Sequence, residues 1–180
     1  MTRCFQIAVL LVATIAGAKS GWKAFHSEQY RYSTFYPPGW QPLTPRSQAF
    51  TAINFPQSER VEGIVVPPSG AMIEAGPTGE PTVDKEIKAD LENAGTDATV
   101  DQTLLTKLPY PDACKSLRQV EYDVNLGSTT SPVYQHITSF YCEVHGRAFG
   151  VTLIYYRGNK DAEMLQAVAL DVARLLRIEK

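Results

Sequence analysis

The side chains able to do chemistry are few and scattered. The histidines are His26, His136 and His145. No two stand two or four residues apart, the spacings at which one strand or helix offers a metal two imidazoles, and no Cys-x-x-Cys occurs. No metal set and no cofactor is therefore read from the chain. Ser20-Gly21-Trp22-Lys23 fits Ser-x-x-Lys, which works when a helix brings the lysine beside the serine. Gly21 makes a poor helix residue, so the match carries no catalytic assignment. Cys114 as a nucleophile would need a reduced thiol and an activating base. Glu121 and Asp123, two apart in a strand, share one face and could hold a cation with Asp112 or Glu143. A solvated edge or a helix-facing polar layer is the simpler reading of those carboxylates. Gly-x-Ser-x-Gly, Gly-x-Gly-x-x-Gly and phosphate-loop patterns do not occur. No catalytic residue is assigned and an enzyme is not expected.

The chain has 180 residues, 17 basic and 19 acidic, for a net charge of −2. A single domain suits that length, and the near-neutral charge offers no footprint for nucleic acid. The first residues carry one charge, Arg3, followed by an apolar run from Ile7 to Gly17 and small residues at Ala16, Ala18 and Ser20. That order describes a cleavable secretory signal peptide over residues 1–20. The run falls short of the ~20 apolar residues that cross a bilayer, so no membrane span is expected in the mature form. Residues 21–180 are read as one domain with a charge of −4, secreted or periplasmic. Cys4 leaves with the leader, and Cys114 and Cys142 become a disulfide candidate in an oxidising compartment.

Positioning elements follow from the pattern. Tyr30–Tyr36 is aromatic and β-prone and ends at Pro37-Pro38-Gly39 before Trp40. Ala49–Phe55, Val61–Val66 and Ala71–Ala75 read as short strands. Thr82 caps a helix to about Asn93, closed by Gly95, with Val83, Ile87 and Leu91 as its apolar stripe. Thr99–Lys107, Cys114–Leu126, Val133–Val144 and Arg147–Tyr156 read as strands, the last two joined by a His145-Gly146 turn. A helix from about Lys160 to Leu176 closes the chain, with Asn159 as its cap.

With that turn, opposed residue numbers sum to 291. Placing Cys114 opposite Cys142 makes the preceding hairpin sum to 256, closed by Gly127-Ser128-Thr129. That register sets Val120 against His136 and Tyr122 against Tyr134, on one apolar face under the last helix. It makes His136 a core histidine. Nine aromatics lie between Trp22 and Phe55, read mostly as core, with an exposed partner-binding patch as the other reading. The loop from Pro67 to Pro81 is a second candidate contact region.

The fold class expected is α+β, an antiparallel sheet between helices. The opening Tyr30-Arg31-Tyr32-Ser33-Thr34-Phe35-Tyr36-Pro37-Pro38-Gly39-Trp40 and the closing strand Phe149–Tyr156 with Lys160-Asp161 resemble the PsbP-like superfamily. The superfamily includes the photosystem II extrinsic subunit, the Ran-binding nuclear import factor and bacterial secreted proteins. The resemblance implies a sandwich that acts by binding or assembly, and those motifs serve packing rather than chemistry. The reading is a secreted or periplasmic accessory protein with a protein partner. A small-ligand or metal-binding protein is the alternative, and a hydrolase without a recognisable motif the third.

Overall fold

The computed structural model of the chain describes residues 20–43, 48–56, 66–94, 101–104, 114–127, 130 and 132–179. The leader expected over residues 1–20, apart from Ser20, lies outside them, as do Asp112, Gly95 and all but Val66 of the strand expected at Val61–Val66. The elements in chain order are β1 (Lys23–Ser27), β2 (Tyr32–Tyr36), β3 (Gln41–Pro42), β4 (Phe50–Ile53), β5 (Ala71–Pro77), α1 (Val83–Ala94), β6 (Asp101–Leu104), β7 (Lys115–Asn125), β8 (Tyr134–Val144), β9 (Arg147–Tyr156), α2 (Ala162–Leu175) and β10 (Arg177–Ile178). The larger sheet is seven-stranded, ordered β3-β4-β5-β9-β8-β7-β6, and a smaller one is ordered β1-β2-β10. Every recorded pairing is antiparallel. The architecture is α+β, as expected.

The small sheet and α2 pack on one face of the large sheet. Their shared core joins Tyr32, Tyr36, Trp40, Phe140, Phe149, Leu153, Leu165 and Val172. Both faces of β2 are largely buried, with α2 and the large-sheet strand β5 both packed against it. Its Tyr32 hydroxyl accepts from Phe50 N–H (2.8 Å) and donates to Gln48 O (3.2 Å). A Cβ at Gly76 would lie 2.8 Å from that phenol, so only glycine lets the two sheets approach this closely. The opposite face carries α1 over Val120, Tyr122, Tyr141 and Ala148.

Local chemistry explains the strongest elements. His145 and Gly146 have φ values of 53° and 75°, so both take the left-handed backbone of a type I′ hairpin. Val144 accordingly pairs with Arg147 and Cys142 with Phe149, the expected register. Thr82 caps α1 through its Oγ1, which accepts from Lys85 N–H at 3.4 Å.

The β7–β8 register differs from the expectation. Val120 pairs with Ser139 and Tyr122 with Ile137, so opposed numbers sum to 259 rather than 256. The odd shift moves Val120 and Tyr122 to the α1 face and leaves His136 opposite Asp123. The connection is longer than the three-residue loop expected. The ladder ends at Asn125–Tyr134, and the Asn125 Oδ1 accepts from the N–H groups of Gly127 (2.9 Å) and Val133 (3.1 Å). A bulge between Lys115 and Arg118, with Ser116 at φ 52°, adds one residue to β7. The bulge reverses the alternation and returns Cys114 to the face of Cys142. Their sulfurs lie at disulfide distance, 2.04 Å, with Cα atoms 5.7 Å apart.

The cap of α2 also differs. Asp161 is the N-cap, and Asn159 precedes it. Buried Asn159 accepts from Asp161 N–H (2.9 Å) and donates from Nδ2 to Gly70 O (3.1 Å), tying the helix entrance to the chain ahead of β5.

Candidate functional site

A polar concavity follows from how α2 sits on the sheet. The helix lies over β9, reaches β5 and β8 on either side of it, and packs against the small-sheet strand β2. The α2 face of β7 therefore stands beside the helix rather than beneath it. Alternation places Gln119, Glu121 and Asp123 on that face, opposite Phe140, Thr138 and His136. A groove of about 330 Å³ runs between the two elements. Glu121, Thr138, Phe140, Glu163, Gln166 and Leu170 are among its lining residues.

The hydrogen bonds in and beside the groove are lopsided. Gln119 Nε2 donates to Glu121 Oε1 at 2.6 Å, and Gln166 Nε2 donates to the Tyr155 hydroxyl at 3.2 Å. Burial first, then the charges of Glu121 and Asp123, push the Tyr155 hydroxyl up, while the Gln166 bond opposes them. Asp123 is the one carboxylate here in an ion pair, with Arg157 Nε at 3.3 Å, and it also hydrogen-bonds His136 Nδ1 at 2.9 Å. Among the described residues, neither Glu121 nor Glu163 is in an ion pair. Thr138 is 1% exposed, yet its Oγ1 has no hydrogen-bond partner. His136 Nε2 is likewise buried and unpartnered.

The other face shows a carboxylate handled differently. Asp90 of α1 accepts from the Tyr141 hydroxyl at 2.5 Å and also from Tyr122. Burial pushes the Asp90 carboxyl up to about 6, opposed by the Tyr141 bond and reinforced by the charge of Glu86. Burial, then Asp90 itself, raises the Tyr122 and Tyr141 hydroxyls. A smaller cleft of about 170 Å³ lies nearby, lined by Glu74, Thr78, Glu86 and Tyr141 among others. Its carboxylates are engaged within the fold: Glu86 Oε2 accepts from Glu80 N–H (2.9 Å), and Glu74 Oε1 from Thr51 Oγ1 (3.4 Å).

The residues singled out in the sequence are dispersed. His26 is on β1, 3.5 Å from Glu179 in a half-exposed pair, and His145 is exposed in its turn. His136 lies beside Asp123 and the Tyr155 ring, not beside Val120, because of the register shift. Lys23 begins a strand, so Ser20 and Lys23 do not share a helix. Glu121 and Asp123 form a polar layer flanking α2, whereas Glu143 pairs in register with Lys115 at the far end of β7. The aromatic segment is core: Tyr32, Phe35, Tyr36, Trp40, Phe50 and Phe55 are buried. Among the described residues, the exposed large apolar side chains are Leu126, Val133 and Met164. Also among them, no three His, Cys, Asp or Glu side chains gather in a metal-holding group, and no helix is long and apolar enough to cross a membrane. Glu163 and Gln166 were missed as site residues. Their helix position showed they were polar, but only the placement of α2 brings them to Glu121 and Thr138.

No family model and no curated protein sequence matches the chain. Solved structures do. The cyanobacterial PsbP of Synechocystis sp. PCC 6803 superposes with a TM-score of 0.53 at 11% identity, covering 94% of this chain and 99% of that one. The fold is PsbP-like. The Ran-binding protein Mog1p of Saccharomyces cerevisiae matches with a TM-score of 0.52 at 8% identity, over 87% of this chain and 95% of that one. LpqN of Mycobacterium tuberculosis, described as involved in cell envelope biogenesis, matches with a TM-score of 0.50 at 15% identity, over 88% of this chain and 91% of that one. A Bacteroides thetaiotaomicron structure matches with a TM-score of 0.50 at 16% identity over 89% of this chain, which spans 49% of that chain's length. At these identities the likeness concerns the PsbP-like fold alone.

Proposed function

We propose that this PsbP-like chain is an extracytoplasmic, non-enzymatic accessory protein that works by binding another protein, with residues 1–20 as its cleavable leader. The observation that carries the reading is the acidic groove beside α2. It has several acceptor groups, no hydroxyl or thiol hydrogen-bonded to His136 Nε2, and an open side along β7. A nucleophile, base and oxyanion donors meeting at one point would have favoured an enzyme. Among the described residues, the His136–Asp123 pair has no nucleophile partner.

Two of the matched structures are described by a binding partner or an envelope process, Ran for Mog1p and cell envelope biogenesis for LpqN. Those descriptions support a binding role without naming a partner here. The Cys114–Cys142 pair supports an oxidising compartment. The test is affinity capture from the native envelope or secretome with the natural chain and with Glu121→Arg. One partner recovered by the natural chain and lost with the variant supports the reading, and identical recoveries count against the groove as the contact.

A small-ligand reading is favoured by the groove's volume and by its unpartnered Thr138 hydroxyl. Thermal shift with a panel of amines and cations tests it, since a bound ligand raises the folding midpoint by mass action.

A further inference from the structure

Resting on the protein-binding reading, we infer that the α2–β7 groove is a receptor for one cationic side chain, lysine or arginine, presented by the partner. Four observations converge. The groove carries two carboxylates, Glu121 and Glu163, without ion-pair partners among the described residues. One N–H of each of its two glutamines is engaged inside the fold, Gln119 on Glu121 and Gln166 on Tyr155. Their side-chain carbonyls add to the two carboxylates as acceptors, so the site's capacity is weighted toward accepting hydrogen bonds. Thr138 Oγ1 is buried in the wall without a partner, a group that ordinarily costs free energy unless something supplies its hydrogen bond. Finally, Phe140, Ala167 and Leu170 line the same groove and offer an apolar track for an aliphatic stem.

An anion would meet two carboxylates. A purely apolar side chain would leave Thr138 unsatisfied and bury part of Glu121. A long stem ending in several N–H donors satisfies both halves. The arrangement also favours a tethered side chain over a free ligand. Glu163 is exposed on the rim, whereas small-molecule sites enclose most of their ligand. The neighbouring carboxylate, Asp123, is already paired with Arg157 and hydrogen-bonded to His136, which leaves the unpaired carboxylates in the groove itself.

The test is a residue-resolved NMR titration of the mature chain with N-acetyl-lysine amide and N-acetyl-arginine amide, with N-acetyl-norleucine amide and spermidine as comparators. The cationic amides should shift the resonances of Glu121, Thr138 and Gln166 saturably, with a Kd on the order of 1 mM. Norleucine amide should not. Glu121→Gln should weaken the effect at least about tenfold, as loss of a charge-assisted hydrogen bond does. Glu163→Gln, on the exposed rim, is the second variant and should weaken it less. Equal shifts with norleucine amide, no shifts with either cation, or unaltered binding in Glu121→Gln each overturn the inference. If spermidine binds far more tightly than either amide, the groove takes a free polyamine and the tethered side chain is rejected. Partner capture separates the two readings. A partner retained by Glu121→Arg sinks the groove receptor but leaves protein binding standing, and amide binding with no captured partner does the reverse.

Discussion

On the α1 face, Asp90 is enclosed under a helix and takes hydrogen bonds from Tyr141 and Tyr122. On the α2 face, Glu121 and Glu163 line an open groove and have no ion-pair partner among the described residues, and its Thr138 hydroxyl has no partner. Both sets of carboxylates lie against the same large sheet. The difference is helix placement. α1 lies over β7 and reaches β8 and β9, whereas α2 lies over β9, β5 and β2 and leaves its face of β7 open. A carboxylate satisfied by its own fold shows up in stability and its pH dependence. One with unused acceptor capacity shows up in binding.

Five changes break or sharpen that comparison. Leu165→Ala removes a fully buried side chain from the larger core and should cost up to about 5 kcal/mol, read by chemical denaturation. The same truncation at Ile87, in the smaller cluster under α1, should fall toward the lower end of about 2–5 kcal/mol. If α1 proves the costlier, the ranking of the two faces is reversed.

Reduction of the Cys114–Cys142 pair, separated by 28 positions, should cost about 3–4 kcal/mol on the chain-entropy account. Intact mass before and after reduction checks the bond itself, since the reductant's two electrons and two protons add two hydrogen atoms on cleavage. An unchanged mass would show free thiols.

Asp90 makes the α1 face pH-dependent. Its carboxyl is raised from 3.8 to about 6, so between those values the folded chain holds more protons than the unfolded one. Stability contributed by the protonated form is complete below pH 3.8 and is lost as pH rises through about 6, a change of about 3 kcal/mol. Unfolding midpoints followed from pH 4 to 7 should show that downward component in the natural chain and lose it in Asp90→Asn. A slope that persists in the variant assigns the effect to another group.

Glu121→Gln should change stability by less than about 0.5 kcal/mol while weakening cationic amides in the groove. A large loss of stability would mean that Glu121 serves the fold in the manner of Asp90, and the contrast between the faces would collapse.

Much of the second half could be read directly. The His145-Gly146 turn needs left-handed backbone at both positions, which pins the β8–β9 register through contacts between chain neighbours. The Val83, Ile87 and Leu91 stripe marked α1, and Thr82 marked its start. The β7–β8 register was not legible, because a helix covers each face of the sheet, so an odd shift still finds apolar packing until a bulge and a loop length choose. Val120 and Tyr122 were apolar in either case; the tertiary fold decided which helix they meet. Strands β1, β3 and β10 were unread for a related reason. They run for five, two and two residues and are recognisable only through their partners.

The sequence by itself determined the apolar alternation, the turn and the two helices, all set by neighbours within a few residues. Only the tertiary structure decided which face Val120 and His136 occupy, that Cys114 meets Cys142 across a bulge, and that Glu163 and Gln166 stand beside Glu121 and Thr138. Each depends on how far one helix is offset across the sheet and how many residues a loop spends. Those quantities are settled by burying the largest apolar area at once, which no local stretch of sequence carries.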